Sequence, residues 1–471
     1  MRRRGTILLA VLVITALASM VAASILFQLR ADIGAARAGH SRQQAYAVAL
    51  AGVQRAVSIL RTGYNDMELW YDNPGLFGEQ LVLTDGGETW YFTIYAHNPD
   101  DPTAVRYGLT DEAGKINLNT ASEQALAALP NMTSDLVDSL LDYRDGDSDE
   151  RSEGAEQEYY SRLPVPYLIK NGLLATMEEL LLVKGFSGSI VYGEDHNLNG
   201  TIETNEDDGD DSFPPDNRDG ELDGGLMRLA TVVSYEFHVD GAGKARVNIN
   251  GEDQELEQLD GAGLPRETVD FIRQYRQAGQ TFKHPSELLN MEYQTTGQQS
   301  APRGRGRGRR GGGGQQQTVI RSGVNAGNLS VVLDKLTTQA GGANTPIVGL
   351  INVNTAPAKV LSLVPGIDQY LAEEIVEARG DLEAQEGATI AWLVSRNVVA
   401  EEKFKEIAPH LTARSYQFRV RCVGFAVPSG RFYVLEAIID LAAGEPRIVY
   451  MRDLTRLGMP VAVDLEQLQG L

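Results

Sequence analysis

Cysteine is almost absent from this chain of 471 residues, and histidine is scarce. The one cysteine, Cys422, has no partner in the chain, which excludes an intramolecular disulfide, and its apolar surroundings are typical of an inert core thiol. The six histidines show no zinc-ligand spacing. The sequence also contains no nucleophile beside a base and no phosphate-binding glycine loop after a strand. We therefore expect a protein that is not an enzyme and has no small-molecule substrate.

Positive charge is in short supply as well. The formal net charge is -22 and the sequence pI is about 4.7. Nucleic-acid binding depends on Lys and Arg that neutralise phosphates, so we expect no nucleic-acid partner. An acidic surface favours solubility and hard cations such as Ca2+. The length and a hydrophobic content of 42% are enough for two or three domains.

Charge and proline are missing from residues 6–29, which follow three arginines at positions 2–4. About two dozen such residues span a ~30 Å hydrocarbon layer as one helix. The arginines predict a cytoplasmic N-terminus, with the bulk of the chain on the other side of the membrane. A secretory signal peptide is the alternative, but the apolar run continues without a break into a second helical segment, residues 30–63.

The second half of this helix carries an apolar stripe. Its residues recur at alternating steps of four and three, and Gly63 supplies a plausible end. The stripe consists of Tyr46, Leu50, Val53, Val57 and Leu60. Strand-like segments rich in β-branched and aromatic residues occupy 81–109 and 415–452. We predict one antiparallel sheet, split along the chain, whose half-polar strands are covered by the helix stripe.

An internal repeat lies between the two halves of the sheet. Three frames open with an N-x-N strand, at 117–119, 248–250 and 352–354, and each continues into a short helix, a tight turn and a longer helix. They resemble the helix-hairpin-helix, or SAM-like, module. Such turns present backbone N–H groups to DNA phosphates, but two packed helices need the same turn without any ligand. The acidic residues after Pro365-Gly366 favour the packing role.

These observations divide the chain into nine segments. They are a basic leader (1–5), a transmembrane half-helix (6–29), an outer half-helix (30–63), the first strands (64–114), a first helical module with an acidic insertion (115–230), a second module (231–300), a low-complexity linker (301–317), a third module (318–414) and the last strands (415–471). The linker reads APRGRGRGRRGGGGQQQ. RG repeats can bind RNA, but outside the cytoplasm we favour a flexible insertion.

One acidic stretch matches the EF-hand calcium loop at every key position. Gly200 falls at the sharp turn and Ile202 at the inward apolar place. The predicted ligands are Asp195, Asn197, Asn199, Thr201 through its carbonyl, Glu203 and Glu206. A solvated acidic loop is the alternative. We expect a structural, dockerin-like Ca2+ site.

A second acidic run precedes the tyrosine pair Tyr159-Tyr160. It places carboxylates at alternate positions and a further one at loop place 12, although it lacks the glycine at place 6. The candidate Ca2+ ligands are Asp145, Asp147, Asp149 and Glu156. A third cluster, at residues 216–223, has the same character and a weaker pattern.

The short basic leader that ends in Gly5, the uncharged run behind it and the helix that continues into a globular domain resemble a type IV pilin or type II secretion pseudopilin. That resemblance implies cleavage by a prepilin peptidase between Gly5 and Thr6, followed by N-methylation. Ala10 stands where most members have Glu as the fifth mature residue. This departure resembles the K-type minor pseudopilins of the general secretion pathway, which also bind Ca2+ in the acidic segment before a tyrosine pair.

The resemblance implies an α+β fold in which a pilin-like N-terminal helix packs on an antiparallel sheet, with all-α SAM-like modules inserted in it. It implies a single-pass inner-membrane protein, mostly periplasmic, that joins I- and J-type pseudopilins and caps the tip of the pseudopilus to help initiate its assembly. A membrane-tethered helix-hairpin-helix DNA receptor of competence type is the alternative function. A Ca2+-stabilised, adhesion-like surface protein is a third.

Overall fold

The N-terminal helix dominates the protein, which we describe from a computed structural model for residues 3–99, 101, 103–296, 317–442 and 444–461. This helix, α1 (Arg3–Gly63), has 61 residues and is therefore about 90 Å long. From Ile7 onward it is long and apolar enough to cross a membrane, with a mean hydropathy of 2.5 in its most apolar window. The side chains of residues 7–36 are exposed throughout.

The sheet is antiparallel and its halves come from opposite ends of the chain, as predicted. Its main strands, in spatial order, are β1 (Gln80–Asp85), β2 (Glu88–His97), β3 (Gln417–Val427), β4 (Phe432–Asp440) and β5 (Arg447–Asp453). The short strands Val105–Arg106 and Thr110–Asp111 pair with β2 and β3. Two short helices, Met67–Trp70 and Pro74–Phe77, connect α1 to β1. The central strand β3 therefore joins the two halves.

The outer half of α1 covers one face of the sheet. Val53, Val57 and Leu60 are buried as predicted, whereas Tyr46 and Leu50 lie half-buried at the margin of the contact. The buried stripe of α1 is therefore rotated around the helix axis relative to the predicted stripe.

Small residues occupy the centre of the contact between α1 and the sheet. A Cβ atom on Gly424 of β3 would lie 2.4 Å from the backbone nitrogen of Ala49, and one on Gly52 would lie 2.4 Å from Cys422 Sγ. The helix and strand backbones thus approach more closely than any larger side chain allows. Cys422 is fully buried there, and burial raises the pKa of its thiol.

The other face of the sheet carries a charged network beside an apolar cluster, and it is also buried, in part under the first module. Arg419 of β3 donates from Nε to Glu112 Oε1 (2.8 Å) and from Nη1 to Glu436 Oε1 (2.8 Å). Glu436 also accepts from Arg421 Nε (2.8 Å) and Arg452 Nε (2.9 Å). We expected the half-polar strands to need only one cover. In the structure both faces of the sheet are covered. The charged face can be buried because its paired charges satisfy one another.

Opposite charge, not burial, sets the ionisation of this network. Burial by itself would raise the pKa of Glu112, but Arg419 and Lys115 outweigh it and bring that pKa to about 2. Burial acts in the same way on Glu436, and its arginine neighbours again hold the pKa far below its ordinary value. Both carboxylates are therefore charged at neutral pH.

Three helical modules are inserted between the halves of the sheet, and a parallel two-stranded ladder closes each one. The ladders pair Ile116–Asn117 with Ala230–Thr231, Val247–Asn248 with Leu336–Thr337, and Ile351–Asn352 with Leu411–Thr412. The opening strand of each ladder holds the first Asn of the N-x-N motif. This architecture confirms the predicted α+β class, with a long helix, an antiparallel sheet and inserted helical modules.

The modules contain short helices and 3-10 turns. The turn Glu112–Gly114 leads into the first module, which has helices Glu123–Ala127, Ser134–Arg144, Gln157–Ser161, Gly188–Tyr192 and Gly225–Leu229, with turns Met177–Leu182 and Thr204–Glu206. The second has helices Asp253–Leu256, Arg266–Gln277 and Leu329–Lys335, with turns Glu257–Gly261 and Pro285–Leu288. The third has helices Ala358–Leu361, Gln369–Ala378, Trp392–Ser395 and Glu401–Ile407, with turns Arg379–Asp381, Glu386–Ala388 and Ala408–His410.

The second Asn of each N-x-N motif fixes the module around it. Asn119 donates to the carbonyls of Leu174 (2.9 Å) and Val232 (3.1 Å), and its Oδ1 accepts the Leu174 N–H (2.8 Å). Asn250 and Asn354 likewise bridge a middle segment and the segment after the closing strand of their modules. Only an amide offers both donors and an acceptor, which explains why the motif uses Asn and not Asp.

The second module extends beyond the low-complexity tract. Strand Gln317–Arg321 pairs with Glu292–Thr296, and the closing strand Leu336–Thr337 follows later in the chain. The structure therefore places the tract inside the second module, not between modules at residue 318. Residues 301–316 of the tract lie outside the described residues. Strand Tyr235–Phe237, before the opening strand of this module, pairs with strand Pro346–Val348, after its closing strand. A 3-10 turn, Thr455–Leu457, follows β5.

The buried network makes stability depend on acid pH. Glu112→Gln removes the negative charge that pairs with Arg419. It should lower the free energy of unfolding by roughly 3 kcal/mol at pH 7. The folded-state pKa of Glu112 is about 2, below its ordinary value of 4.5. Its contribution is therefore complete above about pH 4.5 and is lost as the pH falls toward 2. Urea unfolding of both proteins at pH 7, 5 and 3 measures this difference.

The exposed Glu402, paired at the surface with Lys405, gives the matched control Glu402→Gln, which should lower stability very little. A difference between wild type and Glu112→Gln that stays the same from pH 7 to pH 3 would contradict the assignment.

Candidate metal centres

The first acidic run folds back on itself and brings three carboxylates together. Asp145 caps the C-terminus of helix Ser134–Arg144, and Glu156 precedes helix Gln157–Ser161. Single carboxylate oxygens of Asp145, Asp147 and Glu156 lie within 4.8 Å of one another. In the part of the chain that the structure describes, no other three His, Cys, Asp or Glu side chains converge in this way. We call this group the first centre.

Several oxygens at the first centre are buried without hydrogen-bond partners, although Asp147 itself is exposed and its Oδ1 accepts the Asp149 N–H. Glu156 is 5% exposed, and neither of its carboxylate oxygens has a partner among the described residues. The same holds for Oδ1 of Asp145 and Oδ1 of Asn171. Burial, together with neighbouring carboxylates, raises the pKa values of Asp145 and Glu156. Unpaired buried oxygens are costly, and a bound cation is one physical way to satisfy them.

Two residues near the first centre were not predicted from the sequence. Asp142 lies one helical turn before Asp145 and is fully buried, and its Oδ1 accepts no hydrogen bond but lies 3.9 Å from Arg151 Nε. Its spacing on the helix was a usable signal. Asn171 reaches the centre from a later loop and donates from Nδ2 to the Asp147 carbonyl (2.7 Å), so nothing local in the sequence marked it. The predicted ligand Asp149 is exposed and lies outside the group, and its N–H donates to Asp147 Oδ1 (2.9 Å).

The EF-hand-like stretch, which we call the second loop (residues 195–206), turns where the motif requires. Asp195 accepts the N–H groups of Asn199 (2.9 Å) and Gly200 (3.1 Å), and Asn199 Oδ1 accepts the Thr201 N–H (2.7 Å). Asn197 Oδ1 accepts the Asn199 N–H as well (3.0 Å). Gly200 has a φ of +78°, a conformation that favours glycine.

The glutamates of the second loop bind their own chain. Glu206 is 1% exposed, its Oε1 lies 2.9 Å from His196 Nδ1, and its Oε2 accepts the Glu203 N–H (3.1 Å). Glu203 Oε1 accepts from Asn199 Nδ2 (2.8 Å). Burial raises the pKa of Glu206 to about 7. The six predicted positions are thus local neighbours, but their oxygens are engaged within the protein, unlike those of the first centre.

The second loop also fastens the first module to the sheet. Leu198 is buried in an apolar cluster with Tyr91 and Phe425, and its carbonyl accepts from Arg421 Nη1 (2.8 Å). A Cβ on Gly200 would lie 3.0 Å from His97 Cα at the end of β2. Leu198 thus takes the buried apolar role that the motif predicts for Ile202, which is only half-buried.

Comparisons with known proteins relate parts of the chain to known families. Residues 114–192, which include the first centre, match the family described as type II secretion system (T2SS), protein K, and residues 348–412 match the helix-hairpin-helix motif. Type II secretion system protein K of Pectobacterium carotovorum subsp. carotovorum is 27% identical over 202 residues. That match covers 40% of this chain and 60% of the relative, so the chain spans less than two thirds of the relative's length.

The crystal structure of the GspK-GspI-GspJ complex from the enterotoxigenic Escherichia coli type 2 secretion system contains a similar chain. It is 13% identical, with a TM-score of 0.37, over 88% of this chain and 98% of that one. By sequence, the first module is similar to the type II secretion system (T2SS), protein K family, and the third module matches the helix-hairpin-helix motif.

Proposed function

We propose that this protein is a minor pseudopilin that caps the tip of the periplasmic pseudopilus of a type II secretion system and helps to initiate its assembly. The observation that carries the proposal is the joining of two unlike parts. A helix with 30 or so exposed and mostly apolar or small residues is continuous with a sheet that holds three inserted helical modules. The exposed helix suits a bundle of similar helices. The sheet with its modules, which we call the head, is wider than such a helix.

The exposed half of α1 supports a membrane and filament role. Its side chains from residue 7 to residue 36 are exposed, so lipid or the helices of other subunits would cover them. The arginines at positions 2–4 support a cytoplasmic N-terminus and a periplasmic head in the inner membrane. Ala10, in place of an acid that pairs with a neighbour's N-terminus, suits a subunit with nothing docked ahead of it.

The head supports a position at the tip. Three modules are inserted between strands of the sheet, and the first of them lies on the face opposite α1, where Leu198 accepts from Arg421 and Glu178 accepts from Arg452. Subunits along a filament shaft are crowded on both sides along the filament axis, and a head of this width would collide there with the next subunit. At the tip one side is free. We propose I- and J-type pseudopilins as the subunits below it.

The DNA-receptor alternative is disfavoured by the third module. In a helix-hairpin-helix, phosphate would approach the turn that here contains Gly366, which has a φ of +88°. A Cβ on Gly366 would lie 2.9 Å from Glu406 Oε1, so a carboxylate stands against that turn. Asp368 caps the following helix and accepts the Leu371 N–H (2.9 Å). Two carboxylates at this position repel phosphate.

The tip position is tested by labelling the head in assembled pseudopili. A small epitope inserted in the tract at residues 301–316 and gold-labelled antibody should mark one end of each filament in electron micrographs. A major pseudopilin that carries the same epitope provides the control and should be labelled along the length. Label from this protein distributed along shafts would refute the cap.

Processing at the leader is a second expectation. Prepilin peptidase should cut between Gly5 and Thr6, and the new N-terminus should be methylated. Intact-mass spectrometry of the protein from its native membrane should show loss of the first five residues and gain of one methyl group. The same protein made in cells without prepilin peptidase is the control and should keep its leader. A mature N-terminus elsewhere would argue against a pseudopilin.

We also propose structural Ca2+ at both acidic sites. At the first centre, Asp145, Asp147, Glu156 and Asn171 Oδ1 supply hard oxygen ligands, and the unpartnered buried oxygens support it. At the second loop the supporting observation is the motif and its turn at Gly200. There, Ca2+ would have to replace the internal bonds of Glu203 and Glu206. Bound Ca2+ would neutralise acidic repulsion near the junction of module and sheet.

Calcium should raise the melting temperature of the purified full chain, and EDTA should lower it. Saturation a hundredfold above the Kd adds about 2.7 kcal/mol per site. Glu156→Gln keeps the shape of the side chain but removes its charge, so the share of the shift that comes from the first centre, about half, should disappear. Glu158→Gln is the matched control, because Glu158 is exposed and pairs only at the surface with Arg162.

Titration calorimetry separates the two sites. We expect two bound ions in the wild type and one in Glu156→Gln. An unchanged melting temperature with Ca2+ would contradict the proposal at both sites, and a single bound ion in the wild type would contradict it at the second loop.

A further inference from the structure

The edge strand β1 leaves large apolar side chains uncovered. Leu81, Val82 and Leu83 are 63%, 36% and 38% exposed, and every residue from Leu81 to Asp85 is exposed. Leu81 lies opposite Tyr91 and Leu83 lies opposite Trp90 in the pairing with β2, so the three side chains are held in a defined place by the sheet. Among the described residues, no strand pairs with the outer side of β1.

The usual protections of an edge strand are mostly missing here. Residues 80–85 contain no Lys and no Pro, the residues that most often prevent such edges from sticking to other chains. A register shift between Leu81 and Leu83 interrupts the regular edge. That shift argues against continuous strand addition and leaves side-chain docking as the mode of contact.

The charge around the apolar residues has one sign. The sequence contains no Lys or Arg from residue 62 to residue 105, whereas Glu79, Asp85 and Glu88 flank the apolar side chains. A second copy of this chain would place the same carboxylates opposite one another if two such edges met, which disfavours self-association. A partner that carries Lys or Arg beside apolar residues fits both features.

The opposite edge of the sheet offers a useful contrast. Strand β5 also exposes apolar side chains, with Val449 at 55%, but its charges are paired inside the protein. Asp453 lies 3.4 Å from Arg42 of α1, and Arg452 bonds Glu436. No such cation pairs with Asp85 of β1 among the described residues. The side chain that bonds Asp85 is that of Gln44 of α1, which is neutral (3.1 Å).

We propose that residues 79–88, which we call the β1 edge, form a docking surface for a neighbouring pilin-type subunit of the filament. The contact segment of that subunit is apolar and flanked by Lys or Arg. The choice of partner rests on the proposed function. The location beside α1 is consistent with it, because helices of subunits that bundle in one filament bring the edges of their sheets side by side.

The test uses the full chain in detergent with the I- and J-type pseudopilins of its own secretion system as probes. Leu81→Lys should weaken binding at least tenfold, because it removes an apolar contact and adds repulsion to a basic partner. Val449→Lys on β5 makes the same charge change on the other edge and should bind as the wild type does. Raising NaCl from 50 to 500 mM should weaken wild-type binding.

Cross-linking places the contact. Because the only native cysteine, Cys422, is buried, Thr84→Cys introduces a single reactive thiol at the exposed edge. A bifunctional thiol–amine reagent should join it to a lysine of the I- or J-type subunit. Unchanged melting temperatures of the three variants establish that they fold.

The outcomes separate the two proposals. If wild type and Leu81→Lys bind the probes equally, or if Thr84→Cys joins mainly to a second copy of this chain, the docking surface is wrong and the proposed function stands. If the wild type binds neither probe, both are wrong.

Discussion

The central strand β3 must bury both of its faces, and the rest of the protein depends on how it does so. One face carries Phe418, Val420 and Cys422 against α1. The other carries Arg419 and Arg421, which are buried with Glu112 and Glu436. An unpaired charge there would be prohibitive, so Glu436 of β4 and Glu112, in the segment that leads into the first module, pair with the arginines. Glu112 precedes the first module directly, which ties the position of that module to the ionic network.

Local signals explain what the sequence predicted well. The helix, the split sheet and the N-x-N openings are written in short-range periodicity and turn residues, which depend little on distant parts of the chain. The closing strands were missed, because residue 116 pairs with residue 230 and residue 351 with residue 411. Two-residue strands have no periodicity. Once the structure is known, the shared closing Thr of Thr231, Thr337 and Thr412 becomes visible in all three modules.

At the candidate metal centres, too, local features were predicted from the sequence and contacts with distant segments were not. The alternating carboxylates at 145–149 predicted a cluster, and Asp145, Asp147 and Glu156 do meet. Spacing alone could not show that Asp149 turns outward, or that Asn171 arrives from a later loop, since both depend on how the module closes. In the second loop the motif predicted the turn at Gly200. It could not predict that Leu198 and Arg421 anchor that loop to the sheet.

The third module keeps the turn of a helix-hairpin-helix but places acidic side chains beside it. The turn at Gly366 has the backbone shape that such modules use to approach phosphate, yet Glu406 lies against it. What the three modules share is internal: an Asn that bridges two distant segments and a short parallel ladder that closes the unit. These features serve packing and not recognition. A compact unit whose two ends lie side by side can be inserted into a sheet without separating the strands that flank it, which is why three such units fit between β2 and β3.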